Sequence, residues 1–171
     1  SARFKLVFQI ISALAVVLSG TRIEYVTNPF SETGISRLNP ILSYAITLIW
    51  IIGITNAINL IDGLDGLAAG VSSIASLSLF IVSIIFERWD VAILTAALAG
   101  STLGFLPYNF NPAKIFMGDT GATFLGFTLG VVSIQGTLKS YAAIAIAIPI
   151  LVLGLPLFDT VFAIIRRFFN G

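Results

Sequence analysis

The chain has 171 residues, of which 57% are hydrophobic and only 10% charged, with a net charge of +1. Soluble domains carry charge on about a quarter of their residues, so this chain lacks the polar surface to cover a globule and is expected to face lipid. The near-neutral balance gives no argument for nucleic acid, and the absence of Cys and His excludes disulfides, thiolate metal sites and imidazole chemistry.

A helix that spans a bilayer needs about 20 apolar residues. Six runs meet or approach that length, at 4–20, 41–61, 67–86, 91–107, 121–136 and 141–158. They predict an all-α polytopic bundle of about six spanning helices, a single transmembrane domain over 1–171. Arg3 and Lys5 ahead of the first run imitate a secretory signal, but five further runs favour a spanning helix. Small residues recur every four positions in two runs, Ala96, Gly100 and Gly104, then Ala122, Gly126 and Gly130. Both stripes are expected to bring helix backbones close together in lipid. Pro149 and Pro156 are expected to bend or end the sixth helix.

Alternating spans put the N-terminus, residues 62–66, residues 108–120 and the tail after Asp159 on one side. Basic residues divide five to four: Arg3, Lys5, Lys114, Arg166 and Arg167 against Arg22, Arg37, Arg88 and Lys139. The positive-inside rule thus leans slightly toward the first side being cytoplasmic. Asp62, Asp65, Asp119 and Asp159 all fall on that side, which points to a built site there.

The densest polar cluster is Asn56-Ala57-Ile58-Asn59-Leu60-Ile61-Asp62-Gly63-Leu64-Asp65-Gly66. Asn56 and Asn59 are three apart and share a helix face, and the glycines allow a tight turn that carries two carboxylates. As plain structure, Asn and Gly would end one helix and Asp65 would cap the next. That accounts for one carboxylate and leaves the others unexplained in so apolar a chain. The second cluster, residues 106–121, holds Pro107 and Pro112 in an irregular loop, with Asp119 between glycines before the fifth span. Asp119 or Thr120 serves equally well there as a helix cap. Phe110 and Phe116 suit a membrane belt or a stacked base, and Lys114 suits a lipid headgroup or a substrate phosphate. The third is Pro156-Leu157-Phe158-Asp159-Thr160 with Arg166 and Arg167 beyond it. Carboxylates and amides without His or Cys suit a hard cation such as Mg²⁺, which completes its shell with water and phosphate oxygens. The chemistry implied is a metal–phosphate site at a membrane surface.

Residues 56–66 followed by Leu67-Ala68 resemble the signature loop of the polyprenyl-phosphate N-acetylhexosamine-1-phosphate transferases. Phe116-Met117-Gly118-Asp119-Thr120-Gly121 resembles the second motif of that family, and Pro156 to Thr160 with the arginine pair resembles a third. The family includes enzymes acting on UDP-GlcNAc and the phospho-MurNAc-pentapeptide translocase. The resemblance implies transfer of an N-acetylhexosamine 1-phosphate from a UDP-sugar to undecaprenyl or another polyprenyl phosphate, with release of UMP. It implies a Mg²⁺ cofactor, with Mn²⁺ as a substitute, and Asp119 as the metal ligand. Asp62, Asp65 and Asp119 would be catalytic, and Asn56, Asn59, Asp62, Asp65, Asn109 and Phe116 would line the substrate site, Asn109 and Phe116 at the uracil. The expected partners are the bilayer and both substrates, with room for a homodimer and no nucleic acid. The expected location is the bacterial inner membrane with the site facing the cytoplasm. An aspartate pair upstream and a histidine-rich loop downstream, both typical of the family, are missing, so the chain reads as an internal fragment, inactive by itself. Asp159-Thr160 with Arg166-Arg167 favours a small UDP-N-acetylhexosamine over the pentapeptide donor. The competing reading is a fragment of a cation-coupled transporter, which requires midplane polar groups and inverted repeats.

Overall fold

The computed structural model describes residues 2–28, 30–31, 34–137, 162 and 166. In chain order it holds α1 (Ala2–Leu18), β1 (Tyr25–Thr27), β2 (Ile35–Arg37), α2 (Pro40–Ile61), α3 (Leu67–Ile85), α4 (Trp89–Asn109) and α5 (Gly118–Thr137). The two strands form an antiparallel hairpin that pairs Tyr25 with Arg37 and Thr27 with Ile35. The other elements among the described residues are helices.

Three of these helices, α2, α3 and α4, are long and apolar enough to cross a membrane. The apolar stretch of α1, Phe4–Leu18, is shorter. Helix α5 has 20 residues but is more polar, because Thr, Ser, Gln and Gly interrupt its apolar positions. The sixth expected span, at 141–158, lies outside the described residues, as do Pro149, Pro156, Asp159 and Arg167. Outward faces carry large apolar side chains such as Ile49, Ile74, Ile81, Ile93 and Phe124. In water that surface would be costly, and in lipid it needs no cover. The chain is a membrane protein.

Local sequence explains where the helices begin and end. Asn39 caps α2, its side chain accepting the Leu42 N–H at 3.0 Å, and Pro40 follows at the first helical position, where its missing N–H costs nothing. Between α2 and α3 the chain turns within five residues, and Gly66 adopts φ +73° at the start of α3. A side chain there would be strained. It would also stand 3.3 Å from the Phe110 ring.

Packing follows two main seams, α3 on α4 and α2 on α5. On α3 the buried side chains are small, including Ala68, Ala69, Ser72, Ser73, Ala75 and Ser76, and α4 answers with Ala92, Thr95, Ala99 and Thr102. Some hydroxyls here bond back to their own helix, as Ser73 does to the Ala69 carbonyl and Thr102 to that of Leu98, whereas the buried Ser72 and Ser76 hydroxyls have no partner among the described residues. In the α2–α5 seam a Cβ on Gly126 would stand 2.9 Å from Thr55 Cα, and one on Gly130 3.4 Å from Ile51 Cα. The second small-residue stripe therefore packs as expected. Among the described residues the first stripe meets no such neighbour: Ala96, Gly100 and Gly104 lie on a side of α4 that the described residues leave uncovered, and none of their atoms comes within 4 Å of a Cβ placed on either glycine. The spacing is the same in both, and only the helix orientation separates them.

This arrangement gathers the start of α1, the α2–α3 turn and the α4–α5 loop at one end. The hairpin and the α3–α4 turn sit at the other, where Arg88 donates to the Gln135 carbonyl at 2.9 Å and Gln135 reaches Thr21.

Candidate functional site

At the first end, three elements meet on Asp119 in the opening turn of α5. Lys5 of α1 places Nζ 2.8 Å from Asp119 Oδ2. Asn59 of α2 donates from Nδ2 to Asp119 Oδ1 at 3.1 Å. Lys5 Nζ also lies 3.4 Å from Asn59 Oδ1, closing a triangle. The carboxylate of Asp119 is 74% exposed, so its charge is open to a ligand. Both its oxygens bond sideways to other helices. As a mere cap, the carboxylate would instead bond the N–H groups of its own first turn.

Asp62 terminates α2 next to this triangle. Burial pushes its carboxyl above the usual carboxylate range, and the nearby charge of Asp119 pushes the same way. The backbone N–H of Gly118, donated to Asp62, partly offsets both. Two carboxylates and one amide oxygen thus converge from the α2 end and the α5 start, with one lysine as their counter-charge.

Asp65 takes a different part. Its expected cap on α3 is absent, since Gly66 occupies that position without a side-chain bond. Asp65 Oδ2 instead accepts from the Ala113 N–H at 3.0 Å and from Asn111 Nδ2 at 3.3 Å. Asn109 makes the return connection. It is 3% exposed, its Oδ1 accepting from the Gly66 N–H at 3.1 Å and its Nδ2 donating to the Ile115 carbonyl at 3.0 Å. These bonds stitch the α2–α3 turn to the α4–α5 loop. Phe110, Ile115 and Phe116 stand out of that loop into the surroundings, Phe116 being 73% exposed. Lys114 is exposed as well.

Asn56 lies one turn deeper than Asn59 on the same face of α2. Its Nδ2 donates to Gln9 Oε1 at 3.0 Å and to the Ile52 carbonyl at 2.8 Å, and Gln9 Nε2 donates to Asn56 Oδ1 at 3.4 Å. Neither Lys5, which in the sequence figures only in the charge balance and the resemblance to a secretory signal, nor Gln9 stands among the expected site residues. A signal was available, because a Lys and a Gln four apart in an apolar run share one helix face and polar groups in such runs usually have partners.

The sequence from residue 1 to 137 matches the family model described as Glycosyl transferase family 4. The chain belongs to that family. It is 45% identical over 170 residues to the probable undecaprenyl-phosphate N-acetylglucosaminyl 1-phosphate transferase of Bacillus subtilis, covering 99% of this chain and 47% of that protein. It is 36% identical over 178 residues to the decaprenyl-phosphate N-acetylglucosaminephosphotransferase of Mycolicibacterium smegmatis, covering 93% of this chain and 44% of the relative. The phospho-N-acetylmuramoyl-pentapeptide-transferase of Listeria welshimeri is 52% identical over 87 residues, 51% of this chain and 27% of that protein. The chain spans about half the length of the curated relatives it matches end to end. Family membership leaves the transporter reading without support, and the polar side chains described above gather at one end of the bundle.

Proposed function

We propose that the whole protein transfers an N-acetylhexosamine 1-phosphate from a UDP-sugar to undecaprenyl or another polyprenyl phosphate, releasing UMP. The observation that carries this reading is Asp119 held between Lys5 and Asn59 beside Asp62, at the end where three loops and helix ends meet. An oxygen of the lipid phosphate attacks the β-phosphorus of the donor. The bond from that phosphorus to the bridging oxygen breaks, and UMP departs with the bridging oxygen.

The donor atoms suit a hard divalent cation. No cluster of three acidic side chains occurs among the described residues, but Mg²⁺ typically uses one or two carboxylates and fills its shell with water and phosphate. Asp119, with Asn59 and Asp62 beside it, would hold Mg²⁺ or Mn²⁺, which supplies charge neutralisation to a diphosphate. Lys5 adds a second positive charge for the phosphate oxygens, in a reaction governed by positioning and electrostatics. Asp62, the carboxylate beside Asp119, would accept a proton from the incoming lipid phosphate. Phe116 offers a face for the uracil. Asp65, Asn109 and Asn56 act through the loops and helices they hold.

Further parts of the reading follow from the family and the alternation of spans. The five described helices and the 141–158 run make about six crossings of a bacterial inner membrane, with the site on the cytoplasmic face. A homodimer is compatible with the open face of α4. A small UDP-N-acetylhexosamine is favoured over the pentapeptide donor, since similarity to the N-acetylglucosamine relatives extends over nearly the whole chain and similarity to the pentapeptide enzyme over half of it. The test is UMP release by the purified full-length protein with undecaprenyl phosphate and each donor. Release with UDP-GlcNAc is expected. Turnover confined to the pentapeptide donor would reverse the choice of sugar, and no release with either would reject the reading.

A further inference from the structure

Helix α1 contributes Lys5 to the site, yet little in its apolar packing fixes which way α1 is turned. Its buried contacts with α2 and α5 come from Ala13 and Val17 against Ile51 and Ile134. Such contacts are non-directional and fix the rotation of a helix less sharply than a hydrogen bond does. Among the described residues, the directional contact of α1 besides those of Lys5 itself is Gln9 with Asn56. Gln9 is 6% exposed, and the two amides bond reciprocally, at 3.0 and 3.4 Å.

Helical spacing couples this pair to the site. Gln9 is four residues from Lys5 and Asn56 three from Asn59, so each amide lies one turn below a member of the Asp119 triangle on the same face. We propose that Gln9 is a positioning residue, its amide pair with Asn56 fixing the rotation of α1 so that Lys5 reaches Asp119. A slip of one residue would turn α1 by about 100° and carry Lys5 away from its 2.8 Å contact. Misplacing a reacting group by about 1 Å costs on the order of a hundredfold in rate, so a loosened α1 matters even when the fold survives. The rate consequence rests on the transferase reading, whereas the geometric claim does not.

The test uses the full-length protein and a water-soluble carbodiimide, which joins an ammonium and a carboxylate in direct contact as an amide. The Lys5–Asp119 cross-link is quantified by mass spectrometry, with UMP release and thermal stability measured on the same preparations. Gln9→Leu is expected to lower cross-link yield at least about fivefold and kcat about tenfold or more, with KM for the UDP-sugar little changed. The exchanged pair Gln9→Asn with Asn56→Gln restores an amide on each side and is expected to recover most of both. Gln9→Met, closer in shape to Gln, stands in if Gln9→Leu does not fold. A variant that melts earlier but keeps wild-type cross-linking and kcat would show that the pair only holds helices together, and the proposal would fall. Absence of transferase activity in wild type would reject the transferase reading alone, since the cross-link still reports the position of α1.

Discussion

At the hairpin end, Glu24 and Asp90 each meet an arginine two residues away, Arg22 at 2.8 Å and Arg88 at 3.0 Å. At the other end Asp119 meets Lys5 from a helix 114 positions earlier, and Asn59 from 60 positions away. Asp65 reaches Ala113 across 48 positions, and Asn109 reaches Gly66 across 43. A local ion pair neutralises a loop and survives wherever the loop goes. A pair drawn from separate helices exists only when the bundle is assembled, so it costs more to organise and brings together chemically distinct groups. Long-range hydrogen bonds occur at both ends, since Arg88 reaches Gln135 and Gln135 reaches Thr21, so the difference lies in where the charged groups find their partners.

Charge removal should break the two ends unequally. Lys5→Met in the full-length protein is expected to lower UMP release about a hundredfold, the usual loss when one pre-organised charge donor is removed from a transfer site. Arg22→Gln at the hairpin end should leave turnover within about twofold, whatever stability it loses with the half-buried Glu24 pair and the Tyr44 contact. Equal losses from the two substitutions would erase the distinction.

The stitch between the two loops gives an intermediate effect. Asn109→Ala leaves the Gly66 N–H and the Ile115 carbonyl without their partner, which should cost about 1–3 kcal/mol of stability. Turnover should fall as well, because Phe116 and Asp119 follow from the same loop. Denaturation in detergent, monitored alongside UMP release, checks both. Full stability with Asn109 removed would mean the loop is held by other contacts.

The smallest effects separate the two glycine stripes. Gly126→Ala forces a methyl to within 2.9 Å of Thr55 Cα, and overpacking of this kind costs about 1–3 kcal/mol. Gly100→Ala meets open space among the described residues and should be neutral or slightly stabilising, as Ala favours helix over Gly. Melting curves of the two variants decide it, and a destabilised Gly100→Ala would reveal a partner on that face.

The sequence made the helices and the clustering of Asp62, Asp65 and Asp119 at one end legible, because apolar run length and alternation of sides are properties of the chain alone. It did not show what each side chain faces. Gly100 and Gly126 sit in identical spacing and differ only in which neighbour α4 and α5 turn toward. Asp65 offered a helix cap beside its expected place in the site, and sequence position could not reveal its partners Asn111 and Ala113, which come from another loop. Lys5 entered only the basic-residue balance and the resemblance to a secretory signal, because its partner lies 114 positions away. Run length alone cannot register that α1 is short and α5 comparatively polar, so three of the expected spans stand out as α2, α3 and α4.

Asp119 carries the central claim, and Asp119→Asn tests it with least disturbance, since Asn is as good a capping side chain and nearly the same shape. UMP release by the full-length protein should be measured against Mg²⁺ concentration for wild type and variant, with Tm recorded for each. The expected result is a variant with normal Tm, turnover lower by about a hundredfold or more, and a metal requirement moved to higher concentration. Near-normal turnover with unchanged Mg²⁺ dependence would contradict the account and remove Asp119 from the site.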